Sequence, residues 1–254
     1  MKKICLAALA AFSLLASGMM AVAAPSLAGP SGLAVLPDAT TTAPDYQDFA
    51  LDYHASDSDA GLDGVTTARA TMGLSGKSEL GASYRFLRGA TSRTNNYDFN
   101  YKYASGKWGT QLAVGAQYLF IDEEASGTGN NATGAQFYLA ATREMPKISS
   151  DVTVGVNYTF LNAGVGVNPA GFRPYAALSV DLPQHLKLRL EAQSDLDKLG
   201  DSKPLTAISV SRPLGDGYTA QVGMSNLKNN VFGGADQRLF LGVSYHLYNG
   251  LGKK

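Results

Sequence analysis

The stretch Asp151 to Leu161, DVTVGVNYTFL, decides the fold. Val152, Val154, Val156, Tyr158 and Phe160 fall on one parity, while Asp151, Thr153, Gly155, Asn157 and Thr159 fall on the other. A period of two is the signature of a strand whose faces meet different surroundings. Here one row is wholly apolar, and the other is small or polar up to Leu161 at its end.

The same pattern recurs on both sides of this stretch. Between His185 and Gln193, Leu186, Leu188, Leu190 and Ala192 alternate with Lys187, Arg189, Glu191 and Gln193. Near the C-terminus Leu239, Leu241, Val243, Tyr245 and Leu247 form an apolar row, against Arg238, Gly242, Ser244 and His246, with Phe240 the one apolar residue on the polar side. About twelve such segments follow one another, at 45–54, 64–74, 79–87, 95–103, 108–121, 134–144, 151–161, 171–182, 185–195, 204–212, 217–226 and 237–248. Most run about 9–11 residues, the length a tilted strand needs to cross a bilayer.

The connections alternate long and short. Ala55–Asp63, Arg88–Thr94, Asp122–Thr133, Asn162–Ala170, Leu196–Lys203 and Leu227–Asp236 read as long, and those between them as short. Transmembrane barrels sort their loops in this way, with short turns on the periplasmic side. A soluble sandwich has no reason to. The expected fold is therefore all-β, a closed antiparallel transmembrane barrel of about twelve strands with both termini in the periplasm. Closure follows from the medium: in hydrocarbon every backbone N–H and C=O must be paired within the protein.

Composition agrees. Charged residues make up 17% of the 254, below the roughly 25% of soluble domains, and there are 28 Gly and 13 Tyr. Lys+Arg and Asp+Glu are 21 each, so no basic footprint for nucleic acid exists. One cysteine, Cys5, and three histidines exclude multi-cysteine metal sites, and no cofactor is expected. Lys2 and Lys3, the apolar run Ile4 to Leu15 and the small-residue pattern Ala21-Val22-Ala23 read as a signal peptide over 1–23. A leader or plug segment follows over 24–44, then the barrel over 45–254. The expected location is the outer membrane of a diderm bacterium. The expected partners are its lipid and, during biogenesis, periplasmic chaperones and the barrel-assembly machinery. Oligomeric state is not legible.

The apolar parity should face lipid, with Tyr103, Trp108, Tyr218 and Tyr245 in a periplasmic girdle and Tyr53, Phe86, Tyr97, Phe120, Tyr158 and Phe160 in an outer one. The opposite parity gives the candidate lumen-lining set. Its acids are Asp48, Asp52, Glu79, Asp98, Asp181 and Glu191, and its bases are Arg69, Arg85, Lys102, Arg173, Lys187 and Arg189. Six against six gives no selective charge ring, so ion pairs crossing a narrow lumen are expected. Gly81, Ser83, Ala113, Gly115, Gly155, Ala177, Ser179, Gly223, Gly242 and Ser244 on the same parity should leave space, for water or for the leader. Catalytic patterns are weak. Asp52 and His54 share the inward parity but have no second acidic cluster in register, Ser244 and His246 point inward near the periplasmic end and not to the lipid, and Asp122-Glu123-Glu124 does not match a calcium loop. No enzyme is expected.

The segment Gly29-Pro30-Ser31-Gly32-Leu33-Ala34-Val35-Leu36-Pro37-Asp38-Ala39, placed before a first amphipathic strand, resembles the start of the YjbH-like outer-membrane barrels. That resemblance implies a barrel associated with exopolysaccharide export and carries over no catalytic residue. The expected function is a narrow channel or export-linked porin for small or extended polar solutes, polysaccharide-related ones among them. The alternative is a structural or surface-interaction barrel with a filled lumen.

Overall fold

The computed structural model describes residues 36–44, 46–55, 62–89, 92–107, 109–125, 130–162, 170–194, 204–225 and 238–248. The signal peptide and the first part of the leader lie outside them. Twelve strands are present: β1 (Tyr46–Ala55), β2 (Leu62–Ser75), β3 (Ser78–Gly89), β4 (Ser92–Lys107), β5 (Thr110–Ala125), β6 (Asn130–Met145), β7 (Ser150–Asn162), β8 (Ala170–Leu182), β9 (Leu186–Gln193), β10 (Leu205–Gly215), β11 (Tyr218–Ser225) and β12 (Arg238–Tyr248). Each pairs antiparallel with its sequence neighbours, and β1 pairs with β12, so the barrel closes.

The alternation read in the sequence is the alternation of the wall. On β7, Thr153 is 1% exposed and Val154 is 52% exposed. Leu51, Phe99, Leu112, Phe137 and Phe172 all point outward from their strands and are exposed. Aromatic contacts reinforce this outer face: Tyr84 with Tyr97 (5.2 Å), Tyr158 with Phe172 (4.8 Å) and Tyr218 with Tyr245 (4.6 Å). Trp108 lies outside the described residues.

Loop lengths differ from expectation in one region. The long connection expected at Arg88–Thr94 is mostly strand, since β3 runs to Gly89 and β4 begins at Ser92. Likewise β5 and β6 each extend to 16 residues, consuming much of the expected loop at Asp122–Thr133. These hairpin stems continue the ladder past the apolar belt, where polar residues such as Asn95 and Asp122 remain in register. At the opposite end turns are tight. Asp216 (φ 49°) and Gly217 (φ 83°) provide the two positive-φ residues that a two-residue I′ hairpin requires.

The small inward residues do not leave the space expected of them. Gly115 lies opposite Tyr138, Gly155 opposite Tyr175 and Gly223 opposite Phe240. In each pair a Cβ on the glycine would overlap the aromatic ring. A Cβ on Gly242 would overlap the Asp52 carboxylate. Glycines here seat large inward side chains of the neighbouring strand, as in aromatic rescue of strand glycines.

Candidate functional site

The candidate site is the barrel interior. Ion pairs crossing the lumen are expected from the sequence; the buried ion pairs seen among the described residues join neighbouring strands along the wall. Glu79 and Lys102 are directly opposite on β3 and β4, both fully buried, with Lys102 Nζ 3.2 Å from Glu79 Oε1. Asp52 on β1 pairs with Arg69 on β2, and both are buried. Asp48 on β1 pairs with His246 Nδ1 on β12, across the seam that closes the barrel, and Tyr46 stacks on the His246 ring at 4.3 Å. Short reach explains the pattern: residues opposite each other on neighbouring strands are near enough to bond, whereas the far wall is not.

The remaining charged candidates are distributed around the wall. Ser83 Oγ donates to the buried Asp98 (2.7 Å), and Arg85 is half-buried on the same face of β3. Arg173 Nε donates to the Ser194 carbonyl (3.3 Å), and Arg189 Nη1 donates to Ser211 Oγ (3.0 Å). Asp181 differs from its expected placement. It stands at the short-turn rim with a 57% exposed side chain, 3.3 Å from Lys187, which also reaches Asp151 at 3.8 Å. The last inward position of β8 clears the wall, so this cluster is a rim feature and does not cross the lumen. The His54 side chain lies outside the described residues. Among the described residues no group of three His, Cys, Asp or Glu could hold a metal.

The sequence reading offers 24–44 as a leader or plug on the periplasmic side, and the described part of it does enter the barrel; what the sequence does not show is its course and its partners. Residues 36–44 run inside the barrel as a strap. From the short-turn end, Pro44 makes an isolated parallel bridge to Gly73 of β2. A Cβ on Gly73 would overlap the Ala43 carbonyl, so glycine is what lets the strap lie against the wall there. The Thr42 N–H donates to Glu79 Oε2 (2.7 Å), and its hydroxyl donates to Asp48 Oδ2 (2.8 Å). Further in, the Ala39 N–H donates to Thr142 Oγ1 (3.0 Å). Deepest, the Leu36 N–H donates to Glu191 Oε2 (2.8 Å), and Tyr175 Oη donates to the Pro37 carbonyl (3.0 Å). Leu36 and Ala39 are buried with Ala140, Tyr175 and Ala177. The strap is thus tied to β1, β3, β6, β8 and β9 mainly by side chains.

The strap does not fill the barrel. A cavity of about 680 Å³ opens at the short-turn mouth, bounded by Thr40, Thr41, Pro44, Lys77, Gln111 and Glu144 among others. Higher in the wall, Asn96 Oδ1, Asn157 Oδ1 and Gln193 Nε2 are buried with no hydrogen-bond partner among the described residues.

A closed twelve-stranded antiparallel barrel with an apolar exterior and a polar interior is an outer-membrane-type β-barrel. Solved structures of that class are similar to it. The NanC porin matches with a TM-score of 0.58 at 12% identity, over 79% of this chain and 100% of its own. The KdgM porin matches with a TM-score of 0.51 at 12% identity, over 79% and 98%. An active-site mutant of Escherichia coli outer membrane phospholipase A matches with a TM-score of 0.50 at 13% identity, over 84% and 94%. At these identities the likeness is one of fold. No family model matches the chain, and no curated protein does.

Proposed function

We propose that the protein is a narrow channel of the outer membrane of a diderm bacterium, passing small or extended polar solutes, with residues 36–44 as its constriction. The observation that carries this reading is the strap itself: an interior segment held by side-chain hydrogen bonds beside an open polar cavity, not by a strand ladder. Buried amides without hydrogen-bond partners among the described residues further support a lumen that a polar solute or water would satisfy. The similar fold of the NanC and KdgM porins, one KdgM structure being in complex with disordered oligogalacturonate, points the same way. A catalytic role has less support, because among the described residues no hydroxyl is hydrogen-bonded to the His246 that Asp48 orients.

The test is conductance of the full chain in planar bilayers together with liposome swelling in sugars of graded size. Discrete conductance steps and size-limited swelling are expected. The depth to which the strap buries Leu36 and Ala39 favours the second reading, a filled structural barrel. Bilayers and liposomes as tight as protein-free controls would establish that reading instead.

A further inference from the structure

The wall beneath the strap has a consistent chemistry. Glu191, Glu79 and Asp48 offer carboxylate oxygens to it, and Thr142 offers a hydroxyl oxygen. In each of these bonds the wall accepts and the strap donates. Tyr175 supplies a donor to the Pro37 carbonyl. These acceptors stand on four strands, β9, β3, β1 and β6, and they follow one path from mid-barrel to the short-turn mouth. Most of these bonds go to the strap's main chain, so the wall reads a row of donors on an extended chain and little of its side-chain identity.

Carboxylate oxygens are strong acceptors, and losing a donor at a buried one is costly even where another partner remains, as Lys102 does on Glu79. Whatever replaces the strap must therefore bring donors to the same path. A chain dense in hydroxyls does so along its whole length. The carboxylates already have basic partners on the wall, Lys102 on Glu79 and His246 on Asp48, so a neutral chain matches charges balanced in place and an acidic chain would upset that balance. We propose that this wall is the binding site of the transported solute, a neutral, hydroxyl-rich chain such as a short oligosaccharide, and that residues 36–44 occupy the site as a built-in competitor. The proposal rests on the channel reading for its biological use, but the binding it describes does not require conductance.

The strap's hold is suited to competition. It bridges the wall at Pro44 and buries three apolar residues among those described, Leu36, Pro37 and Ala39. Segments held by few apolar contacts open at lower free energy than the body of a fold. The open cavity between Thr40, Lys77, Gln111 and Glu144 gives a solute a place beside the strap from which to displace it.

The experiment pins the strap and releases it in the full chain. Ala39 N lies 3.0 Å from Thr142 Oγ1, which holds the two Cα atoms within about 7 Å of each other, near the limit for a disulfide. The Ala39→Cys/Thr142→Cys variant, refolded in micelles with Cys5 replaced, is titrated calorimetrically with maltotetraose, cellotetraose and tetragalacturonate, oxidised and then reduced. The reduced form is expected to bind a neutral tetrasaccharide, and the oxidised form to bind it at least about tenfold more weakly, because the competent state is removed. Gly73→Val, which pushes on the Ala43 carbonyl, should tighten the same binding. Equal affinity in the oxidised and reduced forms would overturn the proposal, and so would tighter binding of tetragalacturonate. It would fail equally if a free peptide of residues 36–44 bound the reduced form and no saccharide did. Conductance without saccharide binding would leave the channel reading standing and this one refuted; binding without conductance would do the reverse.

Discussion

Tyr138 on β6 fills the space that a Cβ on Gly115 of β5 would occupy, directly across the ladder. Tyr175 stands in the same relation to Gly155, and Phe240 to Gly223. The interior is packed strand to neighbouring strand, with a ring of one seated on the bare backbone of the next.

Gly115→Ala is therefore expected to destabilise the barrel by about 1–3 kcal/mol, the usual cost of overpacking. Urea titration in micelles, followed by circular dichroism, reads this directly. Tyr138→Ala in the same chain should recover much of the overpacking loss. Additive losses in the double variant would show that the two residues do not compete for space.

Glu79 and Lys102 form a fully buried pair, and Glu79 also holds the Thr42 N–H. Glu79→Gln should cost about 3–5 kcal/mol, because Lys102 is left charged and buried. Lys102→Met added to Glu79→Gln should cost less than Glu79→Gln alone. The comparison is made by equilibrium unfolding of the three variants.

Val154 faces outward and Gln221 lines an inner recess with Ser211 and Ser244. An arginine on the lipid side near the midplane should cost roughly 2–4 kcal/mol. Val154→Arg is expected to impair folding into lipid vesicles well beyond Gln221→Arg. Thr153→Arg is not a neutral comparison, since Thr153 is buried and bonded to Thr142 at 2.9 Å. Equal folding yields for Val154→Arg and Gln221→Arg would place Val154 off the lipid face.

The strand order and the two faces were legible in the sequence because the bilayer imposes them. An apolar row such as Val152 to Phe160 has meaning only if one face meets hydrocarbon. The ends of β3 to β6 were less legible, since a hairpin stem in water needs no apolar row and carries residues such as Asn95 and Asp122 that also suit loops. Tyr138 and Tyr175 were overlooked because their inward parity shows only beside Ala140 and Ala177, and inward tyrosines look like lapses in a lipid-facing pattern until their glycine partners are known. The course of the strap had no periodic signal at all. Its backbone bonds to Glu191 and Thr142 span 155 and 103 residues, and a segment placed by such distant partners carries no local signature of its position.

Those same long separations give the strap a place in time. Its partners are contributed by β3, β6, β8 and β9, and Asp48, which holds Thr42, also pairs with His246 on the final strand. Contacts of high sequence separation carry the loop-closure cost of everything between them, so they form late. The strap, though it precedes every strand in sequence, should thus be the last to settle, after β12 has met β1. In pulse-labelling during refolding, a thiol introduced as Ala39→Cys is expected to stay reactive until heat-modifiable gel mobility appears, then become protected. Protection that precedes the mobility shift would instead make the strap a template on which the wall assembles.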